Sequence, residues 1–581
     1  MKKIIYTLLF AFSAGLFSSC DDFFETTNNT VYSGEDVFTD IGTAQMAVYG
    51  VYNMVSNAWS KRASMFFPVD DDCCVISITS SDSNQRKLAR YQLARDNGEL
   101  HNWHYAMMRG YVRGSMCIEQ LENSPLMKNE STKKEAERLL GEALTMRAVM
   151  MLQIVNLWGD VPFDPRNPEV VLDFEIEKTD RNVILESLIT DLERAVNLLP
   201  WRGDVIADER CTKGSALGYL ARVCMFRAGY ALRPGATHQD LGTMKRTDDY
   251  MVYVEKADKA LETLVTSGKH HLNPSFYDHF KAMCEMQYDG TYGENLLEIA
   301  WAGGSGAVSG EVGYYMGPKA SGTCKSGQCE GGIQLTPYYY MMFDQQYDTR
   351  FATTVAPYEI ESDNTKEPTT LTTMYPGKIR RDWRVPLLPG TKKYTDMNWP
   401  LMRYSDALLL YAETQNEIHQ KPTDAAIKAY EEVRKRAYKG HEDKIGTTPS
   451  TYKEFFEAII KERALELASE GYRKYDLIRW NLLGSALQKV KDTALAIRDG
   501  IAPYDNIPDY MWFKFEEDRV LTSSTDPNDA SYTKVDWRKA IDDNYLATLA
   551  INNFDEGRDE VYPFHNTTLA ANAKLANDFG Y

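Results

Sequence analysis

The sequence lacks the short motifs by which common cofactor and catalytic sites are recognised. Its 581 residues include nine cysteines, yet no Cys-x-x-Cys pair and no zinc-type ligand spacing occur. A P-loop, a His-Glu-x-x-His sequence and a Gly-x-Ser-x-Gly sequence are also missing. These absences give no basis for predicting a cofactor or a metal ion.

Positively charged residues are fewer than negatively charged ones. The chain has 65 lysines and arginines against 83 aspartates and glutamates, which gives a formal net charge of −18. A surface of this sign repels the phosphate backbone of DNA and RNA. Nucleic acid is therefore not an expected partner.

A nucleotide-binding loop is excluded by spacing. The stretch "WAGGSGAVSG" contains Gly304, Gly306 and Gly310, which is one residue longer than the dinucleotide fingerprint. The following "EVGYYMGP" is not expected to begin the helix whose N-terminus a pyrophosphate would need.

Only the N-terminus carries a long apolar run. Lys2 and Lys3 precede apolar residues 4–17, and a Ser-Ser pair then leads to Cys20. This layout predicts an export signal spanning residues 1–19, too short for a membrane span. It resembles a bacterial lipoprotein signal, in which Cys20 becomes the lipidated first residue. The alternative is an ordinary cleaved signal with Cys20 incidental.

What the sequence does have is helical periodicity. Apolar residues recur at helical spacing in nine segments, and several form antiparallel pairs of tetratricopeptide length. A capping box of Thr132 and Glu135 is expected at the start of one of them. We predict a mainly α fold, a tetratricopeptide-like scaffold of helix pairs. The predicted helices are 42–58, 102–122, 131–158, 180–199, 213–231, 250–267, 402–419, 424–438 and 452–470.

Between about 270 and 400 the pattern changes to glycine-rich and aromatic sequence, including "EVGYYMGPKASGTCKSGQCEGG". Long irregular segments in compact domains are usually functional or disordered, and the many aromatic residues argue against disorder. We predict a loop-rich insertion held by the helices. The tail after residue 485 is also expected to be rich in loops.

Glu462, Glu466 and Glu470 form a carboxylate stripe with a spacing of four residues. Such a stripe fits ion pairing on a helix better than a catalytic or metal-binding role. The expected partners are nearby arginines, namely Arg463, Arg473 or Arg479.

Two other clusters of possible ligands are interpreted in the same way. His101 and His104 could share a helix face, but no third metal ligand is implied. Asp70–Asp72 could contribute to a calcium site, although a solvated acidic turn is the commoner outcome.

Several blocks resemble the SusD/RagB family of Bacteroidetes outer-membrane lipoproteins. They are "DVFTDIGTAQMAVYGVYN", "GEALTMRAVMMLQIVNLWGDVPF", "WPLMRYSDALLLYAETQNEI", "ERALELASEGYRKYDLIRWN" and the ending "NAKLANDFGY". In this resemblance the mature chain divides into an N-terminal helical region, 20–230, and a C-terminal region, 231–581, which includes the loop-rich face. Glu462 and Arg479 are expected to pair within these blocks.

The resemblance implies a non-enzymatic protein of the cell surface that functions in nutrient uptake and polysaccharide utilisation. It would bind oligosaccharide, deliver it to a TonB-dependent outer-membrane transporter, and be held at the outside of the outer membrane by a lipid anchor. Some relatives serve peptide uptake instead. One alternative is an α-helical glycoside hydrolase, since chance carboxylate pairs are expected among 83 acidic residues. Another alternative is a protein-docking scaffold.

The resemblance places the ligand surface on two loops, at about 70–86 and 303–332. Their aromatic, amide and charged side chains suit a sugar ring. We expect Tyr314 or Tyr315 to face solvent as a stacking platform, with packing of both rings against the scaffold as the alternative. We also expect a disulfide between Cys324 and Cys329, with two free buried thiols as the alternative. The candidate ligand-binding residues are Trp59, Asp82, Asn84, Gln85, Arg86, Tyr314, Tyr315 and Gln328.

Overall fold

The computed structural model describes residues 34–59, 63–76, 84–166, 175–203, 209–287, 289–301, 310–391, 393–516, 519–523 and 530–581. Cys20 and Asp82 lie outside these ranges. Within them, no helix combines the length and the hydrophobicity that a membrane crossing needs.

Long helices form the scaffold, and the mainly α prediction is confirmed. Nine of them coincide with the nine predicted segments to within a few residues. They are α1 (Ile41–Trp59), α2 (Gly98–Asn123), α3 (Lys133–Trp158), α4 (Arg181–Leu198), α5 (Lys213–Ala228), α6 (Tyr250–Thr266), α7 (Tyr404–His419), α8 (Asp424–Ala437) and α9 (Tyr452–Leu467). A further long helix, α10 (Leu483–Arg498), was not among the predicted segments.

Helix α10 is an exception to the expected loop-rich tail after residue 485. Its buried face is made of Leu483, Leu487, Val490, Ala494 and Ile497. Their alternating spacing of four and three residues is the pattern of an amphipathic helix. The signal for this helix was therefore present in the sequence.

Successive helices pack against one another along the chain. Helix α3 lies between α2 and α4, α5 lies between α4 and α6, and α7 contacts α6, α8 and α9. Because α3 also contacts α1 and α5, almost its whole length is buried. The result is a layered array in which no helix pair buries its apolar face alone.

The start of α3 differs from the predicted capping box. The Thr132 side chain makes no cap hydrogen bond. Its hydroxyl donates instead to the carbonyl oxygen of Leu126 at 2.8 Å. Glu135 pairs with Arg138 rather than reaching back to the helix start. Both groups are satisfied by partners that local spacing does not show.

The remaining elements are short. Shorter helices span Gly34–Val37, Ala63–Phe66, Asn84–Ala89, Phe276–Cys284, Val312–Tyr315, Pro337–Met342, Arg350–Thr354, Arg473–Arg479, Asp543–Thr548 and Asn566–Ala570. Turns of 3₁₀ helix span Pro125–Met127, Arg381–Trp383, Glu442–Lys444, Arg538–Ala540 and Ala550–Asn552.

All strands of the described residues pair antiparallel, as β1–β7, β2–β3, β4–β5, β6–β12, β8–β11, β9–β10 and β14–β13–β15. They are β1 (Cys73–Cys74), β2 (Val161–Pro162), β3 (Lys178–Thr179), β4 (Ala231–Arg233), β5 (Thr243–Lys245), β6 (Asn295–Ile299), β7 (Gln334–Leu335), β8 (Val355–Ala356), β9 (Tyr358–Ile360), β10 (Lys366–Pro368), β11 (Tyr375–Pro376), β12 (Trp399–Arg403), β13 (Tyr510–Glu516), β14 (Arg519–Ser523) and β15 (Thr533–Asp536).

One strand pair closes the base of the loop-rich insertion, which we define as residues 300–398. Strand β6 precedes it and β12 follows it, with Ile299 opposite Trp399 and Asn295 opposite Arg403. Both strands are wholly buried, and β12 runs directly into α7. The chain therefore leaves the scaffold and returns to it at one rigid place.

Buried ion pairs join this base to α8 and α9. Arg403, at the end of β12, donates to Glu294, Glu466 and Glu470 at 2.7–2.8 Å. Arg436 of α8 donates to Glu294 and Glu466 at 2.6–3.1 Å. We call these five residues, with Arg350, Lys378 and Glu462 described next, the base network.

The insertion contributes its own cations to the base network. Arg350 donates to Glu462 at 2.7 Å and to Glu466 at 3.1 Å. Lys378 donates to the Glu470 carboxylate at 2.7 Å. The carboxylate stripe of α9 and the turn after it is thus the surface on which the insertion is seated.

Ion pairing of the stripe is confirmed, but its predicted partners are wrong. Arg463 pairs with Asp406 and Asp476. Arg479 pairs with Glu413 and Asp476, not with Glu462. One residue along a helix turns the side chain by about 100°, so Arg463 faces α7 while Glu462 faces the insertion. Arg473 pairs with Asp71.

The pKa of Glu466 shows which effect dominates in the base network. Burial raises this pKa, but Arg436, Arg403 and Arg350 outweigh burial and hold it well below its ordinary value. The carboxylate therefore stays charged without contact with solvent.

Replacing Glu466 by glutamine should lower the free energy of unfolding by about 3 kcal/mol, because it leaves buried cations uncompensated. Glu457→Gln, at an exposed site on the same helix, is the matched control and should change stability little. Since the folded pKa of Glu466 is depressed, the parent chain should lose stability as the pH falls below about 4, and the Glu466→Gln chain should lose less. Equal urea unfolding curves for both variants would contradict the role of the base network.

Candidate functional site

The two loop segments of the predicted ligand surface lie side by side. Strand β1 pairs with β7, so that Cys73 lies opposite Leu335. The helix at Asn84–Ala89 is tied to the insertion by an ion pair between Arg86 and Glu330 at 2.8 Å. Residues distant in sequence thus form one surface beside the base of the insertion.

Tyr314 and Tyr315 do not face solvent, so the expectation of an exposed ring at one of them is wrong. They are only 6% and 1% exposed. The two rings meet edge to face at 4.9 Å, and Tyr315 packs on Phe66 at 5.9 Å. A Cβ placed on Gly332 would lie 3.1–3.4 Å from Phe66 and Tyr315, so this layer is closely packed. The two tyrosines therefore form a buried inner layer of the insertion, packed on Phe66.

Among the other predicted residues the structure separates buried from accessible ones. Asn84 is exposed, and Arg86 and Gln328 are half-buried. Gln85 is only 3% exposed and therefore packs under the surface instead of lining it. Trp59 ends α1, and its side chain is not among the described ones.

Gln328 is held in place by its backbone. Its N–H donates to the carbonyl oxygen of Gly390 at 2.9 Å, and its own carbonyl accepts from Arg381 at 2.7 Å. The Gln328 side chain is thereby positioned beside the segment around Gly390, which the sequence did not single out.

That segment, described over residues 384–391 and 393–396, carries an exposed aromatic side chain. Tyr394 is 39% exposed, and Val385 and Leu387 are exposed nearby in sequence. The segment is pinned at both ends, since Arg384 donates to Asp396 at 2.5 Å and the N–H of Thr395 donates to Gly310 at 2.7 Å. An exposed ring on a fixed backbone is a preformed platform.

Lys393 connects the exposed segment with the buried tyrosines. Its Nζ lies 5.3 Å from the centre of the Tyr314 ring and 3.5 Å from the Tyr315 hydroxyl. The pKa of Tyr314 is raised by burial and then by Glu330, so the phenol remains protonated at neutral pH. We define the loop face as Asn84, Arg86, Gln328, Glu330, Lys393 and Tyr394.

The sequence contained one clue to the missed segment. "LPGTKKYTDMNWP" was recognisable as irregular and aromatic, but nothing local distinguished Tyr394 from Tyr314 or Tyr315. The exposure of each tyrosine ring depends on hydrogen bonds between residues 310–328 and residues 381–396. These bonds join parts of the chain that are distant in sequence.

Cys324 and Cys329 are separate buried thiols, so the expected disulfide is wrong and the alternative holds. The Cys329 thiol contacts the carbonyl oxygen of Tyr314 at 3.1 Å, and that of Cys324 contacts Gly327 at 3.5 Å. Each sulfur has a backbone partner of its own. Burial raises the pKa of Cys329 to about 12, which makes it unreactive.

The acidic turn is buried, contrary to the expectation of a solvated one. Asp71 pairs with Arg473 at 2.9 Å, and Asp72 accepts from the backbone of Ser469 at 2.8 Å. These carboxylates dock the turn onto the scaffold.

The two histidines are structural as well. His104 packs edge-on against Trp158, and burial lowers its pKa to about 4. His101 stacks on Tyr105 at 5.9 Å. In the part of the chain that the structure describes, no three His, Cys, Asp or Glu side chains gather as a metal site would require.

Comparison with known proteins identifies the family. Residues 315–581 match the model described as "SusD family", and residues 31–225 match the model described as "Starch-binding associating with outer membrane". The chain belongs to the SusD family. The resemblance found in the sequence is thereby confirmed over most of its length.

Relatives and solved structures agree with this assignment. SusD-like protein P38 of Formosa agariphila is 24% identical over 514 residues, covering 83% of this chain and 92% of its own length. A SusD homologue from Bacteroides thetaiotaomicron has a TM-score of 0.77 at 21% identity, covering 95% of this chain and 99% of that one. Surface glycan-binding protein A of the same species, solved with laminarihexaose, has a TM-score of 0.58 at 20% identity, covering 77% and 91%.

Tyr315→Ala should lower the free energy of unfolding by about 3 kcal/mol, since it leaves a cavity beside Phe66 and Tyr314. Tyr315→Phe keeps the ring and removes only a long contact to Lys393, so it should cost far less. Urea unfolding of both variants measures the difference. An unchanged midpoint for Tyr315→Ala would show that the ring is not part of the core.

Proposed function

We propose that this SusD-family protein binds oligosaccharide on the loop face and passes it to a TonB-dependent transporter in the outer membrane, without catalysis. The observation that carries the proposal is Tyr394, an exposed aromatic ring on a backbone segment pinned at both ends. Its neighbours on the loop face supply an amide, cations and a carboxylate.

This composition matches the chemistry of a sugar ring. A pyranose has apolar C–H faces that stack on an aromatic plane and a rim of hydroxyls that both donate and accept hydrogen bonds. Gln328 offers both kinds of group, Lys393 donates, and Glu330 accepts. Among the residues of the loop face, the charges of Arg86 and Glu330 compensate each other, and Lys393 adds one positive charge.

Structures of the same fold support glycan as the ligand class. One neighbour is a laminarin-binding SusD-like protein, and another was solved with a xylogluco-oligosaccharide. Delivery to a transporter and a lipid anchor at Cys20 rest on the family resemblance and on the export signal. The family model's description as associating with the outer membrane is consistent with both.

Hydrolysis is less well supported than binding. A glycoside hydrolase needs two carboxyl groups about 5–9.5 Å apart across an open cleft. On the loop face Glu330 is paired with Arg86, and the carboxylates of the base network are buried among cations. Neither group is arranged as an acid and a nucleophile facing a cleft.

Replacing Tyr394 by alanine should weaken oligosaccharide binding about tenfold, because a lost stacking surface removes roughly 1–2 kcal/mol of apolar contact. Tyr105→Ala is the matched control, since Tyr105 is 55% exposed on α2, outside the loop face. Laminarihexaose and a xylogluco-oligosaccharide are suitable probes for calorimetry. If one of them binds and the two variants retain equal affinity for it, the loop face is not the binding surface.

Cys20→Ala should move the protein from the membrane fraction to the soluble fraction of cells that lack the transporter. Firm anchoring needs more than one acyl chain, and a lipidated N-terminal cysteine would provide it. Ser19→Ala serves as the control, since it keeps the cysteine. A Cys20→Ala chain that still sediments with membranes would contradict the anchor.

A further inference from the structure

A second cleft lies within the helical scaffold. It has a volume of about 230 Å³, slightly below the range of about 300–1,000 Å³ typical of drug-sized ligand sites, so it suits a small ligand. Its walls come from the end of α5, the start of α6, α7, the start of α9 and the helix at Arg473–Arg479 with the residue after it. No lining residue belongs to the insertion, so the cleft is separate from the loop face.

Partly exposed aromatic rings line this scaffold cleft. Tyr452 and Phe456, one turn apart on α9, are nearly parallel at 3° with their centres 6.3 Å apart. Trp480 meets Phe456 edge to face at 5.8 Å. Tyr230 and Tyr250 stand on another wall, and all five rings retain access to solvent. Aromatic rings that only filled the core would be covered.

The floor of the cleft is electrically neutral. Glu413 is buried and accepts hydrogen bonds from both terminal nitrogens of Arg479 and, at 2.8 Å, from the indole N–H of Trp480. These bonds hold the Trp480 ring in one orientation. Because the charges of Glu413 and Arg479 compensate each other, the floor offers no net attraction to an ion.

Polar groups remain available at the rim. Arg246 lies over the Tyr250 ring at 3.6 Å, and its contact with Glu417 is long, at 3.5 Å. Glu417 also accepts from the Tyr452 hydroxyl. The pKa of Tyr250 is raised by partial burial and by Glu417, so this phenol keeps its proton. Hydrogen-bond donors and acceptors thus face each other above the aromatic walls.

We propose that the scaffold cleft is a second carbohydrate site, which holds one or two neutral pyranose units between its aromatic walls. Stacking on Trp480 and Phe456 would bury the C–H faces, while Arg246 and Glu417 would pair with hydroxyls. A phosphate ligand is disfavoured because Glu413 and Glu417 already compensate the charges of Arg479 and Arg246, and a purely apolar ligand is disfavoured by the charged rim. This site does not depend on binding at the loop face.

The test monitors the ¹⁹F signal of a labelled Trp480 side chain during sugar titrations. The purified full-length chain is labelled with 5-fluorotryptophan, and the Trp480 signal among ten tryptophans is assigned with Trp480→Phe. Methyl glycosides of glucose, galactose, mannose and xylose, and laminarihexaose, are titrated while ¹⁹F spectra are recorded. At least one probe should shift the Trp480 signal saturably.

Arg246→Ala should weaken the sugar affinity measured from the Trp480 signal at least tenfold. Arg246→Gln is a second, more conservative variant. Tyr394→Ala should leave this affinity unchanged, which separates this site from the loop face. A Trp480 signal that no sugar moves, or that moves equally in the Arg246 variants, would overturn the proposal. A shift with a lysine- and arginine-containing peptide but with no sugar would do the same and would identify a peptide-docking cleft.

Discussion

The buried ion pairs around Arg403 and Glu466 are the constraint on which the rest of the structure depends. They join strand β12, helices α8 and α9 and, through Arg350 and Lys378, the insertion itself. Removing such charges from water is expensive, and the cost is offset only when every partner is present with good geometry. The base network therefore allows one seating of the insertion on the scaffold and penalises others.

This seating determines which side chains reach the surface. With β6 and β12 paired, the insertion starts and ends at the same point, and its inner layer of Tyr314 and Tyr315 packs on Phe66. The outer layer, residues 384–396, then lies on top of it and presents Tyr394. The described parts of the insertion, which contain only short helices and strands, are thus held by contacts at its base and between its layers.

How far the sequence predicted the protein follows from the range of the contacts involved. Nine helices were predicted because amphipathic periodicity is local, and α10 carried the same signal. The partners of Glu462 were predicted wrongly, because Arg350 lies more than a hundred positions away in sequence. The burial of Tyr315 was predicted wrongly, because Phe66, on which it packs, lies about 250 positions away. Family resemblance singled out two loops that lie side by side in the structure, yet it could not order their aromatic residues by exposure.

The two aromatic surfaces differ in how freely they can change. Asn84, Gln328 and Tyr394 of the loop face are exposed or half-buried, so substitutions of these side chains should have small effects on stability. The floor of the scaffold cleft is different, because Arg479 pairs with both Glu413 and Asp476, and Asp476 in turn pairs with Arg463. A change at Glu413 would leave the buried Arg479 with only Asp476, a partner that it shares with Arg463, and would disturb several helices. If the loop face binds the ligand as proposed, a change of ligand preference there would leave the shape of the cleft, which is built into the scaffold, unaltered.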